Sequence, residues 1–151
     1  MRYIVLATLL FFVGVGLTQI ERHEVSFTPL VRLRTTDGMF VTVIQPPSTK
    51  RATCSDAINR FIDHLGRSCA VCFVESSECA TELKGLDRAL AMDESLPLYR
   101  VSGQGLRIGI LGPPSAVRAQ CEVMASQMAK LGVRDAACTA PSKPQEKPQP
   151  S

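Results

Sequence analysis

Two cysteines separated by two residues are the side chains in this sequence with the clearest chemical potential. A Cys-X-X-Cys motif at the start of a helix has a lowered thiol pKa, which yields a reactive thiolate. Cys69 and Cys72 have this spacing, but residues 69–76 read as a short buried strand rather than as a helix start. We therefore favour a structural bridge and keep a thiol–disulfide redox function for these two cysteines as the alternative.

No other set of reactive side chains has the spacing of a known catalytic or metal centre. His23 and His64 have no evident nucleophile or carboxylate partner, and Asp87, Asp93 and Glu94 are interpreted as solvent-facing. The cysteines near the second histidine do not match the paired Cys-X-X-Cys spacing of a zinc site. The sequence therefore predicts a protein that is not an enzyme and that holds neither a metal nor a cofactor.

Four arginines alternate with apolar residues in segments that read as strands. Successive side chains of a strand point to opposite faces of the sheet, so these arginines would line one face while the apolar residues face the core. Such a face is suited to an anionic polymer, and solvated strand arginines without a ligand are the alternative interpretation. The candidate binding residues are Arg32, Arg34, Arg100 and Arg107.

Two copies of one unit position these side chains. The segment FVTVIQPPSTKRATC begins at Phe40 and RIGILGPPSAVRAQC begins at Arg107, and their identical residues are offset by 67. Fixed-offset identity of this kind is typical of internal duplication. The first copy spans residues 31–72 and the second residues 98–138, and a pseudo-twofold axis is expected to relate them.

Each copy reads as strand, strand, helix, strand. In the first copy, Asp37-Gly38 is a hairpin signal because glycine accepts positive φ, and paired prolines then end the second strand. Apolar residues recur at helical spacing in the following segment, which places Phe61 and its counterpart Met128 in the core. Leucines at helical spacing predict a linking helix over residues 79–92.

These elements predict an α+β fold with helices packed on one face of an antiparallel sheet. The order of elements is the ferredoxin-like pattern, here a duplicated ββαβ unit with additional hairpin strands. One domain spans residues 21–139. Residues 140–151 are rich in proline and lack an apolar run, so this tail is expected to be disordered.

The first twenty residues have the pattern of a membrane-targeting segment. Arg2 precedes a run of apolar residues, and a helix over residues 3–20 would be about 27 Å long, close to the thickness of a bilayer core. A retained anchor is favoured because a good cleavage site is missing, and a cleaved signal peptide is the alternative. The leading positive charge predicts a single-pass inner-membrane protein whose body lies in the periplasm. If the segment is cleaved, the body is expected to be periplasmic or secreted.

The six cysteines are an even set in a chain that reads as exported, which favours disulfides. In each copy one cysteine opens the helix and another closes the next strand, and a strand running back along the helix would bring the two together. The predicted bridges are Cys54–Cys72, Cys121–Cys138 and Cys69–Cys79. A strand slip would exchange the two cysteines of the Cys-X-X-Cys motif.

Composition limits the choice of ligand. The formal net charge is +3, the aromatic content is 5% and tryptophan is absent. Neither a strong polyanion-binding charge nor an aromatic carbohydrate platform is evident, and we expect no nucleic-acid partner.

The second copy resembles half of a SPOR domain, the peptidoglycan-binding module of bacterial envelope proteins. Its strand, Gly-Pro corner, alanine-bearing helix and closing glycine fall where that pattern has them, at Ile108, Ile110, Gly112, Pro113, Ala119, Leu131 and Gly132. The first copy departs from the pattern because Gln45 replaces the corner glycine. The resemblance implies a non-catalytic, membrane-anchored envelope protein that binds peptidoglycan, another glycan or envelope proteins.

Overall fold

Six antiparallel strands and three helices form an α+β fold over residues 24–142, which are the residues that the computed structural model describes. The strands are β1 Thr28–Thr35, β2 Phe40–Ile44, β3 Cys72–Ala80, β4 Tyr99–Gly103, β5 Leu106–Leu111 and β6 Ala137–Thr139, and the helices are α1 Arg51–Ser68, α2 Gly85–Ala91 and α3 Pro114–Lys130. The predicted α+β class with an antiparallel sheet is confirmed.

The predicted membrane segment, residues 3–20, and His23 lie outside the described residues, as does the tail beyond Ser142. Within residues 24–142, no helix combines the length and the apolar character that crossing a bilayer requires. The first residues of the predicted tail contact the body, since the backbone N–H and the hydroxyl of Ser142 both donate to the carbonyl oxygen of Leu96 at 3.0 Å.

The strand order of the sheet is the same when read from either edge. The order is β3-β1-β2-β5-β4-β6, so each half contributes its third, first and second strands from the edge to the centre. At the centre, Thr42 of β2 lies directly opposite Gly109 of β5, and these two residues are separated by the offset of the sequence repeat. The strand pairing is therefore symmetric about the Thr42–Gly109 pair.

The two hairpins differ in length by one residue. The first turn has three residues between Thr35 and Met39, whereas the second has only Gln104-Gly105 between its strands. Both residues of the second turn have positive φ, as the tight turns of hairpins require. Arg32 pairs with Thr42, and Arg100 pairs with Gly109, so Arg32 and Arg100 are equivalent positions in the two halves of the sheet. They are 68 residues apart, one more than the offset of the sequence repeat.

Helices α1 and α3 cover one face of the sheet. Alternate residues of the four central strands point toward them, among them Val31, Val43, Val101 and Ile110, all of which are buried. Met128 is buried as predicted, because its position on α3 faces this core. The predicted burial of Phe61 is only partial, since its side chain packs at the margin of the same cluster.

The opposite face carries a second, smaller core. Leu90 of α2 packs with Leu30, Ile44, Leu96 and Leu98, and its side chain lies over the centre of the sheet. The prediction that helices occupy one face is therefore wrong for α2. This helix is also shorter than the predicted 79–92, because β3 continues its ladder with β1 as far as residue 80.

Three disulfides staple the fold, and only one of them has the predicted partners. Cys121–Cys138 is confirmed, with the two Cα atoms 5.5 Å apart. The predicted Cys54–Cys72 and Cys69–Cys79 bridges are wrong. The observed bridges are Cys54–Cys79 and Cys69–Cys72, with Cα separations of 6.0 and 5.5 Å.

The difference between the predicted and observed cysteine partners follows from where β3 begins and ends. β3 starts at Cys72, beside the end of α1, and runs back along the helix for nine residues. Cys54 lies in the first turn of α1, about 21 Å of helix from Ser68. Only the far end of the strand, at Cys79, covers that distance at about 3.3 Å per residue. In the second half, Cys121 lies near the middle of α3, so the distance from this cysteine to the end of its helix is shorter than for Cys54. The short strand β6 is therefore long enough to bring Cys138 to Cys121.

A protease digest of the unreduced protein should report this pattern. Trypsin followed by cleavage after Glu75 should leave residues 68–75 as a fragment closed by its own internal Cys69–Cys72 bond. Residues 52–60, which contain Cys54, should be joined to the fragment that carries Cys79. Mass spectrometry before and after reduction measures both, and a link from residues 52–60 to residues 68–75 would contradict the observed pairing.

Candidate functional site

The Cys-X-X-Cys motif follows the end of a helix rather than opening one. Cys69 is the C-terminal cap of α1, and its backbone N–H donates to the carbonyl oxygen of Leu65 at 2.8 Å. The carbonyl end of a helix carries partial negative charge, which disfavours a thiolate. The two cysteines are bonded to each other, and the exposed Val71 lies in the loop between them. The motif therefore lacks the helix start that activates a thiol in redox proteins.

The structure brings all four predicted arginines to the α2 side of the sheet. Arg32 and Arg34 alternate with Leu33, whose side chain faces the other core, and Arg100 and Arg107 alternate with core residues in the same way. Three of them, however, contact α2 or the segment that follows it. These contacts decide which part of the sheet face remains open.

Arg32 ties α2 to the sheet. Its Nη2 donates to Asp87 Oδ2 at 2.6 Å, and its Nη1 lies 3.3 Å from both Ser76 Oγ and Glu78 Oε1. The hydrogen bond to Asp87 is the main cause that raises the pKa of Arg32 above its ordinary value, so the guanidinium stays charged. Asp87, interpreted from the sequence as solvent-facing, is in fact the anchor of α2 on β1.

Arg107 and Arg100 hold the connection between α2 and β4. Arg107 Nη2 donates to Asp93 Oδ2 at 2.6 Å, and Arg107 Nη1 donates to the carbonyl oxygen of Leu106. Arg100 Nη1 donates to the carbonyl oxygen of Glu94 at 2.6 Å. Asp93 is exposed, as interpreted from the sequence, and in addition forms this ion pair with Arg107. Both terminal nitrogens of Arg107, and one terminal nitrogen of Arg100, are thus bound to the protein.

Arg34 lies in the row at the open end of this face. Its direct partner on β3 is Phe73 and its partner on β2 is Phe40, which in turn lies opposite Leu111 of β5. We call these four residues the Phe–Arg row. With strands about 4.8 Å apart, the row spans roughly 14 Å across four strands.

The Phe–Arg row is exposed. Phe73 is 53% accessible, Phe40 48% and Leu111 44%, and the Arg34 side chain is 57% accessible. Arg34 Nε lies 3.2 Å from Glu75 Oε1, an ion pair open to solvent on both sides. Three large apolar side chains around one accessible guanidinium form a surface on which a ring-bearing, anionic group can bind.

Comparisons with protein-family models, with curated proteins and with solved structures returned no match.

Sequence reasoning found Arg34 but missed the aromatic residues beside it. The signal was present, because strand alternation places Phe40 on the side of Thr42 and away from the buried Val41 and Val43. Phe73 was not identifiable in the same way, because its role depends on the register between β3 and β1. The low aromatic content of the whole chain argued against an aromatic binding surface, although two of its phenylalanines lie in one row.

Proposed function

We propose that this chain is a non-catalytic binding protein of the cell envelope and that the Phe–Arg row is its binding surface. The supporting observation is the concentration of exposed apolar side chains around Arg34 on the side of the sheet that α2 leaves open. Large apolar residues grouped on a sheet face, rather than scattered singly, are characteristic of interaction surfaces.

A glycan is the proposed ligand. Sugar rings present C–H-rich faces that pack against aromatic rings, while their hydroxyl and acidic groups need hydrogen-bond donors. Phe40 and Phe73 supply the aromatic rings and Arg34 supplies the donors. A peptidoglycan strand has both kinds of group, in agreement with the SPOR resemblance of the second copy.

The proposal also includes the location of the protein, namely a membrane anchor and a body in an oxidising compartment. All six cysteines are paired, which agrees with an exported body. We propose that residues 3–20 hold the protein in the inner membrane with its body in the periplasm. The mirrored strand order supports the further proposal that the body is a duplicated, SPOR-like ββαβ unit.

The redox alternative has weaker support. A Cys69–Cys72 pair that caps the end of α1 lacks the helix start that activates a thiol. Thiol titration of the folded protein after brief treatment with dithiothreitol separates the two functions. A redox function requires the Cys69–Cys72 bond to be reduced readily to two reactive thiols, whereas the binding proposal expects the bond to resist this mild reduction.

Co-sedimentation with purified peptidoglycan sacculi tests the binding proposal. Phe40→Ala should weaken binding about fivefold to tenfold, because the aromatic contact with the ligand is lost. Leu131→Ala is the matched control, since Leu131 is an equally exposed type of apolar residue, at 75% accessibility, beyond the end of α3. Absence of wild-type binding, or equal binding by Phe40→Ala and wild type, would contradict the proposal.

A further inference from the structure

We propose that the ligand of the Phe–Arg row is a carboxylate-bearing glycan, whose carboxylate binds the guanidinium of Arg34 in place of Glu75. This inference rests on the proposed function, since it names the class of glycan that the row takes.

Arg34 differs from the other three arginines because both of its terminal nitrogens are available, whereas each of the others has at least one terminal nitrogen bound to the protein. Its only ion-pair contact among the described residues is from Nε to Glu75, and neither terminal nitrogen has a hydrogen-bond partner within residues 24–142. The corresponding terminal nitrogens of Arg32 and Arg107 are bound to carboxylates of the α2 segment. Arg34 therefore presents the fork of N–H groups with which guanidinium binds a planar carboxylate in a bidentate manner.

Glu75 is a weak and replaceable partner for this arginine. The ladder pairs Arg32 with Ser76 and Leu33 with Val74, so Glu75 is the additional residue of a β-bulge and has no direct partner on β1. Both side chains of the pair are exposed, at 57% and 40%. Exposed pairs of this kind shift an equilibrium by about fivefold or less. A ligand carboxylate can therefore displace that of Glu75.

The neighbouring rings favour an anion that is attached to a ring. Phe73 and Phe40 lie directly opposite Arg34 on its two neighbouring strands, within about 5.5 Å between Cβ atoms. A sugar ring packed on either phenylalanine excludes water from the guanidinium, which strengthens its bond to the carboxylate. A small free anion gains no such contact, so the geometry selects an acidic polymer.

The test compares polymers that differ only in their carboxylates. The full-length chain, oxidised and in a non-ionic detergent, is mixed with native sacculi and with sacculi whose carboxyl groups have been converted to neutral amides. Polygalacturonate and its fully methyl-esterified form provide a second pair. Wild type should bind the carboxylate form of each pair about tenfold more tightly than the neutral form.

Two variants locate the effect at the row. Arg34→Lys keeps the charge but removes the fork, so the preference for carboxylate should fall to about threefold or less. Glu75→Gln removes the competing carboxylate and should tighten binding of the acidic polymers about twofold to fivefold. Arg118→Lys and Glu122→Gln are matched controls, because this exposed pair on α3 also joins an arginine Nε to a glutamate, at 3.1 Å, on the other side of the sheet. Neither control should change binding.

The outcomes separate the two proposals. The carboxylate inference is overturned if wild type binds the acidic and neutral forms equally. It is also overturned if Arg34→Lys prefers the acidic form as strongly as wild type does. Either result leaves glycan binding intact. Binding to no polymer overturns both. Circular dichroism verifies the folding of each variant, and Glu75→Gln gives an independent result because it is expected to increase affinity rather than abolish it.

Discussion

Replacing Cys54 and Cys79 together by alanine should lower the free energy of unfolding by about 3.5 kcal/mol, because their bridge closes a long loop in the unfolded chain. The bridge joins the first turn of α1 to the far end of β3, which within residues 24–142 is an edge strand with β1 as its single partner. Its loss frees the end of that strand as well as enlarging the unfolded ensemble. Urea denaturation under non-reducing conditions measures the change.

The Cys69–Cys72 pair provides the internal control. Its sequence separation is 3 rather than 25, so replacing both residues by serine should cost only about 2 kcal/mol by the same chain-entropy argument. The predicted ranking, rather than either absolute value, is the sharper test. If loss of the short bridge proved more costly than loss of Cys54–Cys79, the assignment of the long bridge as the main staple would be wrong.

Ile110→Ala should destabilise the protein by about 3 to 4 kcal/mol, because it removes a fully buried side chain from the centre of the sheet. Ile110 is 1% exposed on β5, between Val41 of β2 and Tyr99 of β4, and it belongs to the core under α1 and α3. The surrounding strands are held in register on both sides, so the cavity cannot collapse fully. Thermal and urea unfolding of the oxidised protein measure the loss.

Leu111→Ala is the matched control for this variant. Leu111 is the next residue along the same strand, but it points to the opposite face and is 44% exposed. Its truncation should cost less than about 1 kcal/mol, as is usual for an accessible apolar side chain. A one-residue error in the register of β5 would reverse the two results, since a slip by one residue exchanges the faces of a strand.

The open end of the sheet follows from the dimensions of α2. A helix of seven residues is about 10 Å long, so it covers only part of this face of the sheet. Its anchors, Asp87 and the following Asp93, bind Arg32 and Arg107 in the rows next to the small core. The row that contains Arg34 lies beyond these anchors, which explains why two phenylalanines remain accessible there.

The amino-acid pattern determined the class of fold and most of the strand faces. Alternation in β1, β2 and β5 correctly separated the buried Val43 and Ile110 from residues on the other face, because a strand places successive side chains on opposite sides whatever its partners are. The helical stripe of α3 likewise identified Met128 as buried. These properties are local, so periodicity is sufficient to predict them.

The sequence repeat predicted the Cys121–Cys138 bridge, but tertiary structure alone decided the partners of the other four cysteines and of the arginines. The length of β3 depends on how far it remains paired with β1, and this length brings Cys79 rather than Cys72 to Cys54. The partners of Arg32 and Arg107 depend on α2 folding back across the sheet. The Phe–Arg row exists only because the registers of three strand pairs align Phe73, Arg34, Phe40 and Leu111. Contacts between segments distant in sequence are determined by register and packing, which no single segment encodes.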